Sequence, residues 1–111
     1  GSAVVTPWQH PDTESSYHLY VVRVPCGDKG PVHAEAFENL RSGGVGVNLH
    51  YIPVYHQPYY ESMGFKRTDF PESEAYYSQA ISLPLFPGLT SQEQDVVVDL
   101  LTGSTGYQTI F

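Results

Sequence analysis

Residues 50–60, HYIPVYHQPYY, concentrate hydrogen-bonding side chains: two histidines, one glutamine and four tyrosines. An imidazole donates through one nitrogen and accepts through the other, a phenol does both through one oxygen, and a primary amide does both at once. Such a set suits recognition of a polar ligand. Pro53 and Pro58 restrict the backbone between these groups. A restrained, donor-rich loop leaving a sheet is a common mount for binding groups. The same composition also suits an aromatic mini-core whose hydroxyls reach solvent, and the residues alone leave both readings open.

Other chemistries find less support. Cys26 sits in a Gly/Pro-rich stretch with no adjacent histidine, whereas a thiol nucleophile needs a base or local positive charge. His10, His18, His33, His50 and His56 include no pair at i, i+4 spacing, and no Cys or carboxylate completes a zinc pattern. A His50–His56 metal pair is the form in which metal binding stays open. No phosphate-cradling glycine motif occurs, and GGVG at residues 43–46 reads as a helix stop leading into a strand.

The elements that must position the loop follow from pattern. Residues 17–24, YHLYVVRV, are aromatic and β-branched, bounded by serines and Pro25, and predict a strand. A turn over residues 26–31 leads to a helix over residues 32–42, with Ala36, Phe37 and Leu40 on one face and Gly43-Gly44 as its left-handed stop. Residues 45–51, VGVNLHY, alternate as a second strand. Residues 59–65 predict a helical turn ended by Gly64. Residues 70–81 predict a second helix, with Pro71 near its start and Glu72 and Glu74 in the first turn. ISLPL is a short third strand stopped by Pro84. Thr90 with Glu93 forms a capping box ahead of the stripe Val96, Val97, Leu100 and Leu101, and Gly103 should end that helix.

Together these predict an α/β (α+β) two-layer sandwich: a small, mostly antiparallel sheet of about three strands with helices packed on it. The division reads as a cloning remnant at residues 1–2, an irregular segment at 3–16 held through Trp8, a domain at 17–103 and a tail at 104–111. A chain of 111 residues has room for one core. Twelve acids against five bases give a charge of −7, which argues against nucleic acid as a partner. No apolar run is long enough to span a membrane and no secretion leader is recognisable. One cysteine fits a reducing, cytoplasmic setting.

The segments SYHLYVVRV, GVGVNLHYIPVYHQPYYESMGF and DFPESEAYYSQAISLPLFPGLTSQEQDVVVDLL, in that order, resemble the C-terminal part of the DegT/DnrJ/EryC1/StrS sugar aminotransferases. The resemblance runs over about residues 16–101 and is nearest the branch that serves pseudaminic acid and spore-coat polysaccharide pathways. It implies the small domain of a fold-type-I transaminase. In the parent it implies pyridoxal phosphate on a large cofactor domain, a nucleotide-linked 4-keto-6-deoxy sugar as substrate, glutamate as amino donor, and a homodimer with active sites at its interface.

The resemblance also implies that residues 50–57 face the nucleotide-sugar substrate, making His50, Tyr51, Tyr55, His56 and Gln57 the candidate binding residues. His50 and Tyr51 match the family motif directly. Its second histidine falls on Tyr55, with His56 displaced by one. On an extended backbone, neighbouring side chains point to opposite faces, so His56 should not stand in for that imidazole. A Schiff-base lysine must be desolvated and held against the cofactor. Lys29, in a turn, and Lys66, in a polar loop, have neither that context nor the family's lysine motif. The chain alone is therefore expected to bind no cofactor, carry no catalytic residue and not transaminate. The alternative is a non-catalytic binding or dimerisation module derived from such a domain. Either history predicts exposed apolar patches where larger partners once packed.

Overall fold

Tyr20–Arg23 form strand β1, and its β-branched pair Val21-Val22 suits a pleated, half-buried surface. A computed structural model of the chain describes residues 4–25 and 33–105. The Cys26 turn, Lys29, residues 1–2 and the tail beyond 105 lie outside the described residues. Strand β2, Ala80–Leu83, pairs with β1 antiparallel, Val22 opposite Ile81 and Tyr20 opposite Leu83. The pairing extends by one isolated bridge on each side: Val5 with Arg23, and Asn48 with Ser82.

The sheet thus has two strands where about three were expected. Residues 45–51 meet it only at Asn48, because β2 offers four residues before Pro84, which has no amide hydrogen to continue a ladder. Residues 17–19 also stay outside β1, and Tyr17 takes a positive φ of 45°. At the N-terminus Val4 is buried while Trp8 is 79% exposed. The segment is held by burial of Val4 and by the Val5–Arg23 bridge, in which each residue's amide donates to the other's carbonyl, and not by the indole.

Four α-helices complete the chain: α1 His33–Ser42, α2 Pro58–Ser62, α3 Pro71–Tyr77 and α4 Ser91–Thr105. Proline opens α2 and α3, where its missing N–H costs nothing. Thr90 and Glu93 form the reciprocal cap of α4: the Glu93 amide donates to Thr90 Oγ1 (3.2 Å) and the Thr90 amide to Glu93 Oε2 (2.8 Å). Gly103 does not stop α4, which runs to Thr105. A helical glycine costs only about 1 kcal/mol, and Leu101, anchored in the core, carries the helix past that position.

The core lies on one face of the sheet. Val22, Val24, Ile81 and Leu83 meet Ala36 and Leu40 of α1 and Val97 and Leu101 of α4. The α1–α4 approach depends on Gly43, where a Cβ would collide with the Leu100 side chain. Gly44, at φ 86°, makes the left-handed exit from α1. All four residues of β2 are buried, so its second face is covered as well. There Arg23 donates through Nε to Gln79 Oε1 (3.1 Å) and lies over the Tyr76 ring, and His50 meets Ser82. That second face positions the loop.

Candidate functional site

Pro53 sets the backbone for a single 3-10 turn at Val54–His56, followed by Gln57 in an extended conformation and then α2. The turn, not an extended strand, sends the side chains of Tyr55 and His56 in different directions. Tyr55 stacks on Phe70 with ring centroids 4.4 Å apart. His56 runs edge-on to Tyr77 of α3, and its Nε2 makes a very short hydrogen bond with Glu74 Oε1. His50, at the other end of the segment, contacts Ser82 Oγ through Nδ1 at 2.8 Å. Both ends of the loop are therefore fastened, one to β2 and one to α3.

Between these fastenings and α3 lies an open cleft of about 550 Å³. His50, Tyr51 and Tyr55 border it from the loop, and Glu72, Ser73, Tyr76 and Tyr77 from α3. Of the five candidate residues, the fold brings three to this cleft. His56 lies behind it with its side chain only 7% exposed, and Gln57 is exposed to solvent. Tyr51 is 74% exposed, a ring standing free at the rim.

The electrostatics are set by Glu74. The hydrogen bond from His56 first, and then the Tyr55 hydroxyl close by, hold its carboxyl below the ordinary range. Burial, then the neighbouring Glu74 carboxylate, pushes the Tyr55 phenol above its ordinary value. The Tyr55 hydroxyl is shielded from solvent and lies beside the Glu74 carboxylate without a hydrogen bond in good geometry to any described residue. It therefore stays a protonated donor. No lysine or arginine borders the cleft among the described residues, and Glu72 is the one acidic side chain in its lining. Four phenols, one imidazole and one hydroxyl can bind a ligand rich in oxygen acceptors and hydroxyls, with flat rings for its apolar faces.

A second groove, of about 490 Å³, runs between residues 43–46, Phe86 and the start of α4. Apolar Val45, Phe86, Leu89 and Val96 dominate it, and its carboxylate, Glu93, is already engaged in capping Thr90. It lacks the convergent polar groups of a ligand site. His50 and His56 are each engaged by a different element, and no cluster of three metal-ligating side chains forms among the described residues.

Glu74, Ser82, Ser73 and the α3 tyrosines reach the site although sequence reasoning had not placed them there. Only the face of α3 offered a signal: Ser73, Tyr76 and Tyr77 fall at i, i+3 and i+4 spacing. Nothing local pairs Glu74 with His56 or Ser82 with His50.

Fold and site define a small α+β domain presenting a tyrosine- and histidine-lined cleft. The profile of the DegT/DnrJ/EryC1/StrS aminotransferase family matches residues 2–102, and the chain belongs to that family, as its C-terminal small domain. It is 35% identical over 98 residues to the spore coat polysaccharide biosynthesis protein SpsC of Bacillus subtilis, covering 86% of this chain and 25% of SpsC. Spr1654 of Streptococcus pneumoniae, described as a sugar aminotransferase and solved in its PMP-form, superposes with a TM-score of 0.80 at 27% identity. That match covers 93% of this chain and 26% of Spr1654. DesV of S. venezuelae, solved with a ketimine intermediate, gives a TM-score of 0.76 at 26% identity, over 91% and 26% of the two chains. The chain spans about a quarter of the length of the relatives it matches.

Proposed function

We propose that this chain is the substrate-facing small domain of a pyridoxal-phosphate-dependent aminotransferase. The parent moves an amino group, from glutamate, onto C4 of a nucleotide-linked 4-keto-6-deoxy sugar, in the cytoplasm, for a cell-surface polysaccharide. The observation that carries this reading is the family match over residues 2–102, within which residues 50–55 form one wall of a polar cleft.

The coenzyme does not fit the described residues. Its Schiff base needs a desolvated lysine amine, whereas Lys66 is exposed, outside both clefts, with its backbone amide on Asp69 Oδ2. No step through the coenzyme is therefore assigned to this chain; the reading gives it to the large domain of the parent. What remains here is binding and enclosure. His50 and Tyr55 donate to oxygen acceptors of the sugar nucleotide, the Tyr76 and Tyr77 rings bound its faces, and the loop and α3 together keep water from it. Partners in the parent are the large cofactor domain and, across the active site, a second copy.

A second reading, a binding or dimerisation module without catalysis, is favoured by one feature. Tyr51, Ile52, Val54, Tyr59, Met63 and Phe65 are all exposed along one stretch of chain, a density unusual for a surface facing only water.

Titrating UDP-N-acetylglucosamine, a stable surrogate, into the isotope-labelled 111-residue chain tests the site. The substrate reading expects saturable shifts at His50, Tyr55 and Tyr76. Shifts confined to Val45, Phe86 and Val96, or none at millimolar ligand, would defeat it.

A further inference from the structure

We infer that Ser82 is a positioning residue that fixes His50 as an N–H donor towards the cleft. The assignment of the tautomer stands on the geometry below; what the donor meets rests on the substrate reading above.

Ser82 is only 5% exposed, a buried polar side chain on the face of β2 opposite the aliphatic core. Its backbone is committed to the sheet: its amide donates to the Asn48 carbonyl (2.8 Å) and its carbonyl accepts from the Asn48 amide (3.3 Å). Among the described residues its hydroxyl has a single partner, His50 Nδ1 at 2.8 Å. A serine hydroxyl carries one proton and two lone pairs, and a neutral imidazole carries its proton on one nitrogen only.

Two arrangements are possible. If Nδ1 holds the proton and donates to Oγ, the serine O–H is left buried with no acceptor among the described residues, and a buried donor then loses its hydration without replacement. If the serine O–H donates to Nδ1, that donor is satisfied and only a hydroxyl lone pair goes unused. The second arrangement leaves Nδ1 bare and puts the imidazole proton on Nε2.

His50 borders the cleft with its Nδ1 turned onto β2, so Nε2 is the nitrogen left for a ligand. Ser82 thereby converts an ambiguous imidazole into a donor of fixed direction, as a buried partner on the far nitrogen does for other functional histidines. The ligand atom it selects is an oxygen acceptor, a carbonyl, hydroxyl or phosphoryl oxygen, and not a donor. The backbone bridge at Asn48 holds the segment at the same point, so ring and main chain are registered on the same residue of β2.

Long-range proton–nitrogen correlation spectra of the 111-residue chain at about pH 8.5, where imidazoles are neutral, read the tautomer without any ligand. His50→Gln identifies the resonances by their loss. The wild-type spectrum should show His50 Nε2 at the N–H position and Nδ1 at the bare-nitrogen position. In Ser82→Ala the two nitrogen shifts should move towards each other as the second tautomer becomes populated, and Ser82→Thr, which keeps the hydroxyl, should restore their separation. A wild-type spectrum with the proton on Nδ1 overturns the proposal, as does a Ser82→Ala spectrum with both shifts unmoved. No sugar nucleotide enters this test, so its outcome and that of the UDP-N-acetylglucosamine titration are separable.

Discussion

The two faces of the short sheet are built on different physics. On one, aliphatic side chains from β1, β2, α1 and α4 close around Leu40, Ile81 and Leu101, each 0% exposed. On the other, the segment from His50 to Tyr77 contains two 3-10 turns and two short helices without one buried residue among them. Rings lean on rings there, Tyr55 on Phe70, His56 on Tyr77, Tyr60 near Phe65. Hydrophobic burial, roughly 25 cal/mol per Å² of apolar surface, holds the first region. A few directed polar contacts orient the second. Stability is thus concentrated on one face of a small domain, and the proposed ligand cleft sits where burial is weakest.

The largest expected effects come from the aliphatic face. Leu40→Ala should cost about 2–5 kcal/mol, the range for a large-to-small core change, read from urea unfolding. A loss below about 1 kcal/mol would mean that this face is not the one that stabilises the domain. Gly43→Val forces a branched side chain into Leu100 and should cost about 1–3 kcal/mol through overpacking. Thr90→Ala removes the cap of α4 and should cost about 1 kcal/mol in the same assay.

The aromatic face should respond to pH more than to truncation. Glu74 ionises more readily folded than unfolded, where its ordinary value is 4.5. As pH falls, the unfolded chain takes up this proton first. The stability that Glu74 supplies is therefore complete above about pH 4.5 and is lost as pH drops through its lower folded value. Glu74→Gln should flatten that acid-side decline in urea midpoints, while Leu40→Ala should shift the whole curve and leave its slope. An unchanged slope in Glu74→Gln would remove the His56–Glu74 contact from this picture. Smallest of all is Tyr55→Phe, which should leave urea stability at neutral pH within about 0.5 kcal/mol or raise it slightly, because it removes a shielded hydroxyl that has no partner in good geometry.

Much of the aliphatic face was legible in the sequence. Helix α1, the capped start of α4 and strand β1 follow from side-chain period, capping residues and proline positions, all of them local. The helix expected over residues 70–81 instead ends at Tyr77, and Ala80 and Ile81 belong to β2. Residues 45–51 misled because alternation predicts an extended chain but not a partner, and β2 is too short to pair with more than Asn48. Gly103 misled because a weak helix former was read as a stop where packing overrides it.

The cleft was half legible. Type and density marked the segment, the family resemblance picked out five residues in it, and His50, Tyr51 and Tyr55 among them border the cleft. Glu74 read only as a carboxylate near a helix start and Ser82 only as one residue of a strand. Their partners lie 18 and 32 residues away, and the contacts exist only once the chain has folded. Trp8, the chain's single tryptophan, looked like an anchor by size alone, yet it is solvent-exposed because Val4 and Val5 already hold the segment.

Borohydride trapping addresses most directly whether this domain supplies substrate contacts while the reactive centre lies elsewhere in the parent. The 111-residue chain is mixed with equimolar pyridoxal phosphate, reduced, and read by peptide mass spectrometry. The expected result is no stoichiometric pyridoxyl adduct on Lys66 or Lys29. A single saturating adduct on either lysine, formed at one coenzyme per chain, would contradict it.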